Sequence, residues 1–186
     1  MRFELTNGVI DGAMEALQGG LEQYQAIQAR LSDVDVQSDL EFQRRFNRFY
    51  RVRRNAKWRG QFYSLFAEAL EHGYDFRTVC NELHERTDRW EASFTSKLIA
   101  TVDPTQPVID SVVLKNLDLR LPSHGTEHRL DRLCDVHRDL KGQLEAILKT
   151  EPGKYIVEQF RTLYPKAKIT PIKMVDLVLW QIRPTG

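Results

Sequence analysis

Eight basic side chains stand within sixteen consecutive residues: Arg44, Arg45, Arg48, Arg51, Arg53, Arg54, Lys57 and Arg59, with no acid among them. Guanidinium groups fork onto phosphate oxygens in a way that ammonium groups do not. Interleaved here with Phe46, Phe49, Tyr50 and Trp58, they have the composition expected of contact with a nucleic-acid backbone. A competing reading starts from the first 43 residues, which hold eight acids and two bases. On that reading the arginines form a solvated helix face that pairs internally with acidic N-terminal helices.

A second group of reactive side chains lies between residues 91 and 117. The small polar turn Ser93-Phe94-Thr95-Ser96 delivers Lys97 to the start of an apolar helix. Pro107 then stands where a first helical turn accepts proline, and Asp110 follows the apolar pair Val108-Ile109. An amine and a carboxylate are thereby presented at the openings of two successive helices. The plainer alternatives are that Asp110 interacts with the N-terminal dipole of its own helix and that Lys97 is a solvated helix residue.

Other constellations carry less. His124 and His128 stand four apart, and Cys134 and His137 three apart, a spacing that suits a divalent metal. Cys134 and His137 also fall in phase with Leu130, Leu133 and Leu140, which predicts a core cysteine and a satisfied histidine instead of metal ligands. There is no phosphate-binding glycine loop, no nucleophile elbow and no paired-carboxylate motif, so neither metal nor cofactor is expected.

The elements that must position these groups are helical almost throughout. Apolar residues recur at three or four from 11 to 31, interrupted around Gly19-Gly20. Asp39 would cap a long helix with Phe42, Phe46, Phe62 and Phe66 on its apolar side, divided at Gly60 and ended by Gly73. Asp75 caps a helix over 76–86, and a short helix covers 91–102. Pro107 opens one over 108–117, and Thr126 caps another over 127–149. Two last helices cover 154–164 and 171–182, the second capped by Thr170. No stretch alternates with period two. The pattern predicts an all-α chain of about eight helices in one compact domain over residues 1–186, with residues 1–38 as a small lobe. Within helix 171–182, Asp176 is surrounded by apolar residues and requires a partner.

Composition narrows the class. A formal charge of +1 with 41% hydrophobic and 28% charged residues is that of a soluble globular protein. Eight of the 27 bases sit in the basic segment, however, leaving 19 against 26 acids elsewhere, a formal charge of −7. The N-terminus lacks the pattern of a secretory signal, no apolar run spans a bilayer, and two cysteines build no disulfide framework. A reduced, cytoplasmic protein is expected.

The segment SFTSKLIATVDP followed by VIDSVVLKNL resembles the helix-hairpin-helix DNA glycosylase superfamily of the endonuclease III and 8-oxoguanine glycosylase type. The similarity covers residues 91–117 and is that of a short, divergent bacterial form. It implies an all-helical fold that docks on double-stranded DNA, extrudes a base and cleaves its glycosidic bond, by hydrolysis or with lyase chemistry. Lys97 falls on the family's nucleophilic lysine and Asp110 on its aspartate. Ser93, Ser96 and Lys115 would then join the arginines in contacting DNA, and Trp58, Trp90 and Phe94 would line the base pocket. The chain departs from the family in three places. It has no glycine–hydrophobic–glycine hairpin, its interval from Lys97 to Asp110 is short, and the iron–sulfur cysteines are missing. A non-catalytic DNA-binding or protein-interaction module of the same fold is the second expectation. An all-α interaction protein unrelated to DNA is the third.

Overall fold

Capping side chains start most of the helices in the computed structural model, which describes residues 4–183. Those residues form ten α-helices and no strand: α1 (Asn7–Glu15), α2 (Gln18–Arg30), α3 (Leu40–Phe49), α4 (Ala56–His72), α5 (Phe76–Thr87), α6 (Ala92–Val102), α7 (Ser111–Asn116), α8 (Arg129–Leu148), α9 (Glu151–Leu163) and α10 (Pro171–Gln181). Thr6, Asp39, Asn55, Asp75, Asp110, Thr150 and Thr170 each place a side-chain oxygen on a first-turn N–H. Each such cap stabilises its helix by about 1 kcal/mol. Gly73 ends α4 in the left-handed conformation at φ 66°, the common helix stop.

Ten helices replace the expected eight because two predicted runs are divided. The run from Asp39 breaks at residues 50–55, not at Gly60. Arg51 takes φ 54°, the Val52 N–H bonds to the Asn47 carbonyl, and Asn55 caps a fresh start. Gly60 lies inside α4 with open space beside its α-carbon. The N-terminal run breaks at residues 16–17, and Gly19 and Gly20 are helical. Two starts also move. α8 begins behind His128, not Thr126, and α9 begins behind Thr150, ahead of the expected Lys154.

The helix expected from Pro107 opens only at Ser111. Residues 107–110 are non-helical because Ile109 is tied across to α6 by both of its backbone groups. That tie makes Asp110 the cap of α7 instead of a residue of its first turn.

Two buried clusters fill the interior. One gathers α1, the start of α2, and α7 to α10 around residues such as Leu17, Leu140, Ile156 and Leu179. The other is aromatic, built mainly from α3 and α4 around Phe42, Phe46, Phe62 and Phe66, with Val79 and Leu83 of α5 and Phe94, Leu98 and Ile99 of α6. Fully burying side chains of this size stabilises by about 1.5–3 kcal/mol each. Ala92 of α6 belongs to the first cluster, whereas Phe94, Leu98 and Ile99 belong to the second. α6 and the segment after it therefore run along the seam. Among the described residues, no helix is long and apolar enough to cross a membrane.

Candidate active site

At that seam lies a cavity of about 140 Å³. Phe49, Tyr50 and Arg51 reach it from the end of α3, Phe94 and Lys97 from α6, and Val108, Asp110 and Val113 from the segment into α7. Lys173, Asp176, Leu177 and Trp180 complete it from α10. Residues from both hydrophobic clusters meet there, with two amines, two carboxylates and one guanidinium in their midst.

Lys97 is half-buried on α6. Its Nζ donates to the Tyr50 carbonyl at 3.3 Å and lies 5.1 Å from the centre of the Phe94 ring. Tyr50 can offer that carbonyl because α3 ends there, so the break before Asn55 serves the site directly. Burial pushes the Lys97 ammonium below the ordinary lysine range; Asp110 opposes that shift and Arg51 adds to it. An amine held in this way is closer to its nucleophilic, neutral form than a solvated lysine.

Asp110 Oδ1 accepts the Val112 N–H at 2.8 Å, which fixes the carboxylate at the start of α7. Two serines of α6 brace the residue beside it. Ser93 Oγ donates to the Ile109 carbonyl at 2.8 Å, and Ser96 Oγ accepts the Ile109 N–H at 2.8 Å. Ser96 precedes Lys97 and Ile109 precedes Asp110, so one hydrogen bond, from the Ile109 backbone to the Ser96 side chain, ties the residue before the amine to the residue before the carboxylate.

The predicted polar turn is therefore corrected. Residues 93–96 lie within α6, and the turn between α5 and α6 is residues 88–91. The hydroxyls face inward: Ser96 is fully buried and also donates to the Ser93 carbonyl at 3.0 Å. Ser93 and Ser96 serve as internal braces, not as solvent-facing groups for a phosphate. Lys115 is exposed at the end of α7.

Of the three aromatic residues expected to line a base pocket, only Phe94 faces this cavity. Trp58 is a core residue, 6% exposed and stacked on Phe62 at 5.1 Å, because α4 turns it into the aromatic cluster. Trp90 stacks on His84 at 3.8 Å and lines a separate groove with Arg89, His124 and Arg129.

The basic segment divides between structure and surface. Arg54 forks onto Glu91, Nε to Oε1 at 3.0 Å and Nη2 to Oε2 at 3.1 Å, and lies 5.1 Å from the Phe94 ring centre. Arg45 pairs with Glu41 one turn away at 2.8 Å. Arg59 is half-buried on α4. Arg44, Arg48, Arg51, Arg53 and Lys57 are exposed and form no ion pair among the described residues. Glu41 is thus the only acid of the first 43 residues that pairs with the segment among the described residues. The competing reading, pairing with the acidic N-terminal residues, is met among the described residues only by Arg45 and Glu41.

Comparison with known proteins gave no match. No family model, no curated protein and no solved structure matches the chain.

Sequence reasoning placed Lys97 and Asp110 in one region but missed α10 as a wall of the same cavity. Lys173 Nζ donates to Asp176 Oδ2 at 2.6 Å, with side-chain exposures of 3% and 6%. Burial is the largest single influence and opposes the Lys173 charge, but Asp176, Tyr50 and Tyr24 together outweigh it and hold the ammonium above the ordinary lysine range. Burial lifts Asp176 above the usual carboxylate range, with Lys173 opposing the shift. The signal was available: a lysine three residues before an aspartate in an apolar helix shares its face.

Elsewhere, Cys134 is half-buried and His137 stacks on Phe76 at 4.1 Å. Its Nε2 has no hydrogen-bond partner, so the histidine is not fully satisfied. Among the described residues, no three His, Cys, Asp or Glu side chains are grouped to hold a metal.

Proposed function

We propose that this protein binds duplex DNA and acts on a base extruded into the cavity, cleaving its glycosidic bond as helix-hairpin-helix glycosylases do. One observation carries the reading: Lys97 and Asp110, the two positions singled out by the resemblance, line a single aromatic-walled cavity. Flat rings enter such a space only after leaving the base stack, at a cost of a few kcal/mol. Phe49, Phe94 and Trp180 supply apolar surface for an extruded ring. The exposed Arg44, Arg48, Arg53 and Lys57 supply charge for the phosphates outside.

Asp110, fixed by its cap, places negative charge where the sugar becomes cationic as the base departs. Lys97, with its protonated form disfavoured by burial, attacks the sugar C1′ with its lone pair. The C1′–N bond breaks, and the base leaves with those electrons and takes up the proton lost by the amine. Opening of the sugar ring then yields a Schiff base between Lys97 and C1′. If water attacks instead, Asp110 stabilises the same cation and Lys97 only positions the sugar.

A non-catalytic DNA-binding module is favoured by one specific feature. Residues 93–96 are helical, so their N–H groups are not presented to a phosphate as in a glycine hairpin. DNA docking would then rest on the arginines alone.

The deciding experiment incubates the protein with duplexes carrying damaged or modified bases, with and without borohydride. Release of a base supports the enzyme, and a trapped adduct lost in Lys97→Ala assigns the nucleophile. Binding without release favours the module. Absence of any binding at low salt rejects both.

A further inference from the structure

Lys97 and Asp110 account for part of the cavity; α10 contributes a second amine and a second carboxylate. Lys173 and Asp176 both line the space, and their 2.6 Å contact sets a donor beside an acceptor on its wall. An apolar pair of similar volume would hold α10 in the core at least as well, since burying two charges carries a desolvation penalty of several kcal/mol. A buried ion pair of this kind is therefore a weak contributor to fold stability.

Its hydrogen bonding is also incomplete. Asp176 Oδ1 is shielded from bulk water and has no donor, while Oδ2 is taken by Lys173. A buried carboxylate oxygen without a donor is unfavourable. Lys173 Nζ carries three N–H groups; it makes a single hydrogen bond, to Asp176, and lies 5.2 Å from the centre of the Tyr24 ring. The group that would complete both residues is a flat one, given the rings of Phe49, Phe94 and Trp180 around it. It must also present an N–H next to an acceptor atom. That is the pattern on the Watson–Crick edge of a nucleobase.

We infer that Asp176 and Lys173 hold the Watson–Crick edge of the extruded base, Asp176 Oδ1 accepting an N–H and Lys173 Nζ donating to the neighbouring acceptor. The cavity then admits bases altered on the imidazole side or at other remote positions, and rejects bases alkylated on the pairing edge. The inference rests on the proposed entry of a base into this cavity.

The test compares hypoxanthine with its 1-methyl and 7-methyl derivatives by isothermal titration calorimetry on the full chain. The two derivatives add the same methyl group, but only the first loses the edge N–H. Wild type is expected to bind hypoxanthine and 7-methylhypoxanthine comparably and 1-methylhypoxanthine about tenfold or more weakly, as for loss of a hydrogen bond to a charged group. The double variant Lys173→Met with Asp176→Leu removes both charges together and is expected to lose that preference. Equal binding of the two methyl derivatives by wild type, or no binding of any of the three, overturns the inference. Titration of plain duplex DNA in parallel separates this from the broader reading. Duplex binding without edge preference rejects only the role of Asp176 and Lys173, whereas absence of duplex binding rejects the DNA reading itself.

Discussion

Ser96 Oγ accepts the Ile109 N–H at 2.8 Å, and this bond, with the Ser93 hydroxyl on the Ile109 carbonyl, sets the spacing of the candidate catalytic pair. It holds residue 109 against α6 in a non-helical conformation and so delays α7 until Ser111. Ser96→Ala would leave that N–H buried without an acceptor, a loss of about 1–3 kcal/mol. Urea denaturation measures it; a change within 0.5 kcal/mol of wild type would show that the brace is dispensable.

Asp110 combines a structural and a proposed chemical role, and two substitutions separate them. Asparagine caps helices about as well as aspartate, whereas alanine forfeits about 1 kcal/mol. Asp110→Asn is therefore expected to match the wild-type melting temperature, and Asp110→Ala to fall below it. If the carboxylate stabilises a sugar cation, both variants lose base release on an active duplex by 100-fold or more. Full activity in Asp110→Asn would leave Asp110 as a helix cap only.

Arg44, Arg48 and Arg53 are exposed and without ion pairs among the described residues, so replacing all three with glutamine should shift stability little. Binding to a generic duplex should weaken, and the slope of log affinity against log salt should become shallower by about 2–3, roughly 0.9 per lost phosphate contact. An unchanged slope would move the DNA contact elsewhere on the surface.

His137 predicts the acid limb of the stability curve. Burial lowers its pKa to about 4, against 6.5 when free, with its bond to the Pro107 carbonyl opposing and Lys141 adding to the shift. Between these values the unfolded chain holds the proton and the folded chain does not. Stability is therefore full above pH 6.5 and declines as the pH falls toward 4, by about 3 kcal/mol in total. His137→Phe, which keeps a ring against Phe76, should flatten that interval in denaturation curves taken from pH 7 to pH 4. Lowered carboxylates such as Asp75 and Glu68 lose their contributions only as the pH falls below the unfolded carboxylate range. A wild-type curve already flat between pH 7 and 5 would contradict the assignment.

Helical character, the caps at Asp39, Asp75 and Thr170, and the cationic run at 44–59 were all legible along the chain. Each depends on neighbours three or four residues apart, and a linear pattern records such neighbours directly. The helix breaks were less legible. The one at 50–55 requires Arg51 in a left-handed conformation, which no glycine announced. The late start of α7 depends on hydrogen bonds from Ser93 and Ser96, sixteen and thirteen residues away.

The site followed the same division. Its amine and carboxylate could be named from residue type and local spacing. Their enclosure could not, because the cavity is made where α3, α6, α7 and α10 converge. The same convergence puts Lys173 and Asp176 beside Lys97 and Asp110, whereas Trp58 packs into the aromatic core on Phe62 and Trp90 stacks on His84. Local sequence sets which residues share a helix face. Which faces meet is settled by packing of both hydrophobic clusters at once, and only that packing turns separate charged residues into one site.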